Sequence, residues 1–184
     1  MDFKVLTLDL PRFAEACSKL EKLVADSEFE PEIAIYIPSK GTKMKQYMFD
    51  GVKAEEISII RPPKGRMLKS VSRILKRLPT KLVDRIRVAE AHFLVKRRSH
   101  MHTAKLRLPE ISSGVSRVIV IDDAVDSGAT LHKVMTELQA VYPAVTFKSA
   151  VLTVTSPAPI YRPDYTLFDN QTLIRTPWSI DMKK

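Results

Sequence analysis

Three aspartates, Asp122, Asp123 and Asp126, fall within five positions, and Ser127-Gly128-Ala129-Thr130 follows at once. Branched apolar residues, VIVI at 118–121, precede them. LHKVMTELQAV comes after and repeats its apolar residues at helical spacing. A strand–loop–helix order puts Asp122 and Asp123 at the carboxyl end of a strand and the Ser-Gly turn at a helix N-terminus. Free backbone N–H groups and the helix dipole favour an anion there. Gly128 permits positive φ and close approach of a ligand. The Ser127 and Thr130 hydroxyls add hydrogen bonds, so residues 127–130 suit a phosphate.

Carboxylates beside a phosphate repel it unless the same ligand also offers hydroxyls or a metal. A sugar phosphate meets both needs: its hydroxyls reach Asp122 and Asp123, its phosphate the turn. Magnesium suits such a site, because it needs few protein ligands when substrate supplies oxygens. Asp126 stands where it could stabilise positive charge on a reacting ring or exchange a proton with it. A capping turn would require one acid or Ser, not three acids with Ser, Gly and Thr. A DDxxD metal site would lie on a helix, and these acids follow a β-type run.

The elements that must hold this site read as alternating strands and helices. Phe3 to Leu8 reads as a short strand. A helix then runs to about Asp26, with Asp9 as its cap, Pro11 in its first turn, and Phe13, Cys17, Leu20 and Val24 on one face. Glu32 to Ile37 is a buried-type strand that ends in PSKGTKM, followed by a short helix from about Lys43 to Phe49. Ile57 to Ile60 is a third strand. VIVID, Phe147 to Thr153, and pieces around Thr166 and Ile174 complete the set. The pattern predicts an α/β domain with a mostly parallel central sheet flanked by helices, spanning residues 1–184.

Residues 61–114 stand apart as a basic helical insertion. From Arg61 to Leu108 there are fifteen Lys/Arg and two Asp/Glu, a net +13, whereas the rest of the chain nets −4 and the whole +9. Met67, Leu68, Val71, Ile74, Leu75 and Leu78 predict one amphipathic helix. Pro79 interrupts, and Leu82, Val83, Ile86, Ala89 and Phe93 predict a second, with Glu90 an acidic exception on the stripe. Such a segment fits a hood over the active site, an anionic partner or membrane surface, or another subunit. The hood reading is favoured; nucleic acid is less attractive because aromatic residues are few. Cys17 is the only cysteine, so no disulfide forms within the chain, and a cytoplasmic protein is the plain reading. Its place on the apolar face of the first helix points to packing. His100 and His102 read as surface residues, His132 as structural, and Trp178 as packing of the C-terminal tail.

Val118 to Thr130 closely resembles the phosphoribosyl pyrophosphate (PRPP) signature of type I phosphoribosyltransferases: two acids at a strand end, then Asp-Ser/Thr-Gly-x-Thr. The resemblance implies a PRPP-dependent enzyme that joins the ribose carbon to a nitrogen with magnesium and releases pyrophosphate. Asp122 and Asp123 would bind the ribose hydroxyls, directly or through magnesium. Asp126 would stand in for the proposed general base, and residues 126–130 (Asp126, Ser127, Gly128, Ala129, Thr130) would hold the 5′-phosphate. Ser39, Lys40 and Gly41, in IYIPSKG, are similar to the family's pyrophosphate loop after the first core strand. The two ends, VLTLDLPRFAEACSKL and PDYTLFDNQTLIRTPWSIDM, resemble those of bacterial xanthine–guanine phosphoribosyltransferases. That subfamily implies a purine-like acceptor, nucleotide salvage and a homodimer.

The acceptor half departs from the pattern. Leu173 stands where those enzymes have a stacking aromatic residue before the isoleucine, here Ile174. Ser156 stands where they have a lysine before a proline. The basic segment replaces their mobile covering loop. Loss of an amine donor and a stacking ring weakens 6-oxopurine binding. A second expectation is therefore a non-catalytic PRPP- or nucleotide-sensing regulator of the same fold, touching nucleic acid or a protein through its basic helices.

Overall fold

Residues 33–36, IAIY, are buried at all four positions, as a strand covered on both faces must be. They form β2 (Ile33–Tyr36) beside β6 (Arg117–Val125), whose Val118 to Ile121 are equally buried. The computed structural model describes residues 4–38, 41–60, 79–96, 105–168, 172–179 and 182. Five strands make the core sheet, in the order β3 (Lys53–Glu56), β2, β6, β7 (Thr146–Val154), β8 (Tyr165–Phe168), with every pair parallel. Successive side chains on a strand face opposite sides, so two cores form. One joins Ala34, Tyr36, Ile119 and Ile121 to Phe13, Cys17, Leu20 and Val24 of α1 (Leu10–Ala25). The other joins Ile33, Ile35, Val118 and Val120 to Leu131, Val134 and Leu138 of α4 (Ala129–Val141). Leu20 and Leu138 are wholly buried, and truncating either to Ala would cost about 2–5 kcal/mol.

Helix α1 begins as its sequence requires. The Asp9 side chain accepts from the Arg12 backbone N–H at 3.0 Å, and Pro11 occupies the first turn, where its missing N–H is no loss. Cys17 is buried on this helix, and burial pushes its thiol up to about 12, with a smaller push from Glu21. It is a packing residue and no nucleophile at neutral pH.

Three elements differ from the sequence reading. The edge of the core sheet is β3, KAEE, which the apolar pattern did not reveal. Its side chains are exposed or half-buried, and charge on an edge strand discourages pairing with another chain. The apolar Ser58–Ile60 instead forms β4, which pairs antiparallel with β5 (Lys105–Arg107) outside the core sheet. The basic insertion thus contributes a strand as well as α3 (Thr80–Lys96). The expected helix at 43–49 is a single turn, α2 (Gly41–Met44), with turns beyond it. The helix expected over 67–78 lies outside the described residues.

A second, two-stranded layer adjoins the carboxyl end of β7. β1 (Lys4–Thr7) pairs parallel with β9 (Thr172–Arg175), and the Thr153 hydroxyl of β7 donates to the Thr172 carbonyl at 2.7 Å. Arg175 is buried. Its guanidinium bonds the Thr7 hydroxyl at 2.9 Å and pairs with Asp84 of α3. Val83, one residue before, is buried as well. Strand and basic helix are therefore joined by an ion pair whose Arg175 end is buried and whose Asp84 end is half-exposed. Helix α3 is built into this layer and does not stand free of the domain.

Candidate functional site

The strand order locates the site. From β2 the chain goes outward to β3, and it returns to the other side of β2 to place β6, β7 and β8 in succession. The order reverses between β2 and β6. In open parallel sheets ligands bind outside the carboxyl ends of the strands at such a point. β2 ends opposite β6 at the pair Tyr36–Ile121, and the Ile37 N–H donates to the Ile121 carbonyl at 2.8 Å. Asp122 is thus the first residue of β6 beyond its β2 ladder. β6 continues beside β7, with Asp122 opposite Val151 and Val125 opposite Val154.

The three acids come together here. Burial pushes the Asp122 carboxyl well above the usual carboxylate range, Asp123 adds to that push, and Asp126 contributes in the same direction. The Asp123 N–H donates to the Asp122 carboxylate at 2.9 Å. Asp126 is exposed at the mouth, and the buried Thr155 hydroxyl donates to its Oδ1 at 2.6 Å. Thr155 is itself anchored by its N–H to the Val125 carbonyl at 2.9 Å. One carboxylate oxygen of Asp126 is held and the other is left to meet a ligand.

The turn into α4 is shaped for close approach. Gly128 sits in the left-handed region at φ 79° as the helix N-cap, with no side chain capping the helix. A Cβ there would lie 2.7 Å from the Tyr161 nitrogen and 2.9 Å from its carbonyl oxygen. The Ile160 N–H donates to the Ser127 carbonyl at 2.8 Å, so the segment after β7 braces the turn. The Ala129 N–H approaches the Ser127 hydroxyl only at 3.4 Å. The donors of the first helical turn therefore remain available to an anion. The His132 and Tyr161 rings stack at 6.1 Å, which assigns His132 to bracing of the same turn.

Gly41 opens α2, which packs against β6 just past the switch point. Ser39 and Lys40, which precede it, lie outside the described residues, as do His100 and His102. Ser156 is buried directly after Thr155, and its hydroxyl accepts from the Ala158 N–H at 3.3 Å. Leu173 and Ile174 are half-buried on β9, opposite Val5 and Leu6. The Thr153–Thr172 bond ties β9 to the same strand end. Trp178 packs edge-on against Phe13 at 4.6 Å, with the tail folded onto α1.

A model of the phosphoribosyl transferase domain matches residues 44–183, well over half of the chain. The chain belongs to the phosphoribosyltransferase family. Solved structures share the fold of this phosphoribosyltransferase at low identity. The Helicobacter pylori xanthine-guanine-hypoxanthine phosphoribosyltransferase is 18% identical, with a TM-score of 0.65 over 97% of this chain and 96% of that one. A purine phosphoribosyltransferase from Pyrococcus horikoshii is 17% identical, TM-score 0.59, over 95% and 94%. A hypothetical protein from Neisseria gonorrhoeae, solved with bound ppGpp, is 13% identical, TM-score 0.59, over 97% and 90%. No curated protein matches the sequence.

In this phosphoribosyltransferase the sequence points to the acids and the turn but not to Thr155, Tyr161 or Arg175. Thr155 is legible in principle, since it directly follows the strand next to β6. Arg175 is not, because its partner Asp84 lies 91 positions away. Among the described residues no three His, Cys, Asp or Glu side chains form a metal cage. The acid pair fits instead a cation that takes most of its oxygens from substrate and water. Such a cation would offset the burial and the repulsion from Asp123 that raise Asp122.

Proposed function

We propose that the protein transfers the 5-phosphoribosyl group of PRPP to a ring nitrogen of a purine-like base and releases pyrophosphate. The observation that carries this reading is the gathering of three acids beside an uncapped helix N-terminus at the switch point. The 5′-phosphate rests on residues 126–130, and the ribose hydroxyls meet Asp122 and Asp123. Ser39, Lys40 and Gly41 receive the pyrophosphate. Ser156, Leu173 and Ile174 border the acceptor. The C1′–O bond breaks and its electron pair leaves with pyrophosphate. The acceptor nitrogen forms the C1′–N bond, and its proton passes to Asp126. The carboxylates stabilise the positive ribose as that bond opens. Asp122 and Asp123, or the ribose hydroxyls they bind, would hold magnesium, which would supply charge neutralisation for the pyrophosphate. Nucleotide salvage, a cytoplasmic setting and a homodimer go with this reading through the purine subfamily that the chain ends resemble.

A second reading has its own support. Leu173 offers no stacking ring and Ser156 no amine, so the acceptor site lacks two contacts of the purine enzymes. A nucleotide-sensing regulator of the same fold needs neither, and the gonococcal structure holds ppGpp. One assay separates the two. The protein is incubated with PRPP, magnesium and a panel of purines, pyrimidines and related heterocycles, and pyrophosphate release is measured. Release with a purine is expected. No release with any acceptor, together with tight binding of PRPP or ppGpp, would assign the sensor.

A further inference from the structure

Two buried hydroxyls leave the carboxyl end of β7. Thr153 donates to the Thr172 carbonyl at 2.7 Å and so fixes β9, which carries Leu173 and Ile174. Thr155, two positions further on and 5% exposed, donates to Asp126 Oδ1 at 2.6 Å. The hydroxyl has one proton to give. Its other neighbour, the Val125 carbonyl, lies at 3.4 Å and already accepts the Thr155 N–H at 2.9 Å. The shorter contact to a charged oxygen therefore takes the proton. Backbone pairing and burial hold Thr155, and a β-branched side chain is stiff at χ1, so its oxygen is a fixed point.

Asp126 is exposed, and a short side chain in water exchanges rotamers unless something holds it. The fold itself asks nothing of this carboxylate. The turn after it is closed by the Ile160 N–H on the Ser127 carbonyl and by the Tyr161 backbone against Gly128. What Asp126 does therefore explains the contact better than what it stabilises. We propose that Thr155 is a positioning residue for Asp126: it holds Oδ1 and so aims Oδ2 at the acceptor. The proposal rests on Asp126 as the base of the transfer described above. The Thr153 bond sets the acceptor border from the same strand, roughly 7 Å along it. Base and acceptor border thus share one frame. Holding a reacting group in place before the new bond forms is worth large factors in rate.

The test uses the full chain and two variants. Thr155→Val keeps the shape and loses the hydroxyl, and Thr155→Ser keeps the hydroxyl. Three-bond NMR couplings to the Asp126 carboxyl carbon should report one rotamer in the wild type, an average in Thr155→Val and one rotamer again in Thr155→Ser. Turnover is measured with PRPP, magnesium and the acceptor that the wild type uses fastest. Thr155→Val should lower kcat roughly tenfold to a hundredfold, the scale of a misplaced reacting group. The acceptor KM should stay near the wild-type value, because Thr153 still holds β9. PRPP affinity by calorimetry should persist, since the 5′-phosphate rests on the braced turn. The thermal midpoint should persist too, because water replaces the donor that an exposed carboxylate loses. Thr155→Ser should recover most of the rate. Averaged couplings in the wild type would overturn the proposal, as would an unchanged kcat in Thr155→Val. A thermal midpoint and PRPP affinity that fall together with kcat, with no recovery in Thr155→Ser, would also overturn it and make Thr155 a structural residue. The couplings need no turnover. One rotamer in the wild type and an average in Thr155→Val, with no pyrophosphate release by the wild type with any acceptor, would uphold the tether and overturn the transfer reading alone.

Discussion

The two ends of strand β6 treat carboxylates in opposite ways. At the amino end, Glu32 accepts from the Ser116 N–H at 2.8 Å, the Ser116 hydroxyl at 3.0 Å and the Arg117 N–H at 2.8 Å. These donors, the Ser116 and Arg117 backbone groups first, hold its carboxyl below the usual range. At the carboxyl end, burial and the neighbouring acids push Asp122 the other way. The first carboxylate closes a loop and is content without a ligand. The second is disfavoured in its charged form by burial first and by its neighbouring acids second. A site that binds ligand strongly often holds such discomfort in its empty state, and stability is lower for it.

Asp122→Asn should show the largest effect. Turnover should fall at least about a hundredfold, since a group that stabilises developing charge is lost. The ligand-free protein should meanwhile gain stability, with the thermal midpoint rising about 2–4 °C for each ~1 kcal/mol recovered. The sign follows from the raised carboxyl. At acid pH both folded and unfolded chains hold the proton. As pH rises past the ordinary carboxylate value the unfolded chain releases it first, so this group's support of folding is lost up to the folded value. Thermal melts from acid to neutral pH should show that decline in the wild type and not in the variant. A variant that is both active and less stable would break the contrast between the two ends.

Gly128→Ala comes next. The left-handed backbone and the 2.7 Å approach to Tyr161 should together cost about 2–4 kcal/mol, and calorimetry should show weaker PRPP binding. Gly51 has nearly the same φ, 80°, yet a Cβ added there would meet nothing within 4 Å. Gly51→Ala should therefore cost only the backbone penalty, about 1–2 kcal/mol, and leave PRPP affinity intact. Equal losses of affinity in both variants would remove the close approach as an explanation. The smallest change belongs to Glu32→Gln, with turnover unchanged and a slightly lower thermal midpoint. Because the Glu32 carboxyl is lowered in the folded state, its stabilisation is present above the ordinary glutamate value and fades as pH falls through the folded one. The gap between wild type and variant should close on acidification.

What was legible in the sequence was local. The Asp9 cap, Pro11 and the helical spacing of Phe13, Cys17, Leu20 and Val24 are short-range signals, and α1 formed as they required. VIVIDD and Ser-Gly-Ala-Thr carried both the strand end and the anion turn. Edge strands were harder. KAEE lacks an apolar face because one side of an edge meets water, whereas Ser58–Ile60 has one and yet left the core sheet. Pairing partners 49 positions apart, such as Ser58 and Arg107, leave no mark on local pattern. A longer separation, 91 positions, hid Asp84 from Arg175.

By itself, the sequence determined the local features of the candidate site: which side chains are acids, where the glycine permits φ 79°, and that a strand delivers them to a helix N-terminus. Those are properties of neighbouring residues and need only local conformation. Tertiary structure decided the rest. It put β2 beside β6 so that the strand order reverses at Asp122, and it brought Thr155 to Asp126. It also locked α3 onto β9 through Asp84 and Arg175, which turned Val83 inward and left Leu82 and Ile86 outside. The physical reason is that burial and Coulomb interaction depend on distance in space. A chain distance of 29 or 91 residues says nothing about either until the sheet has formed.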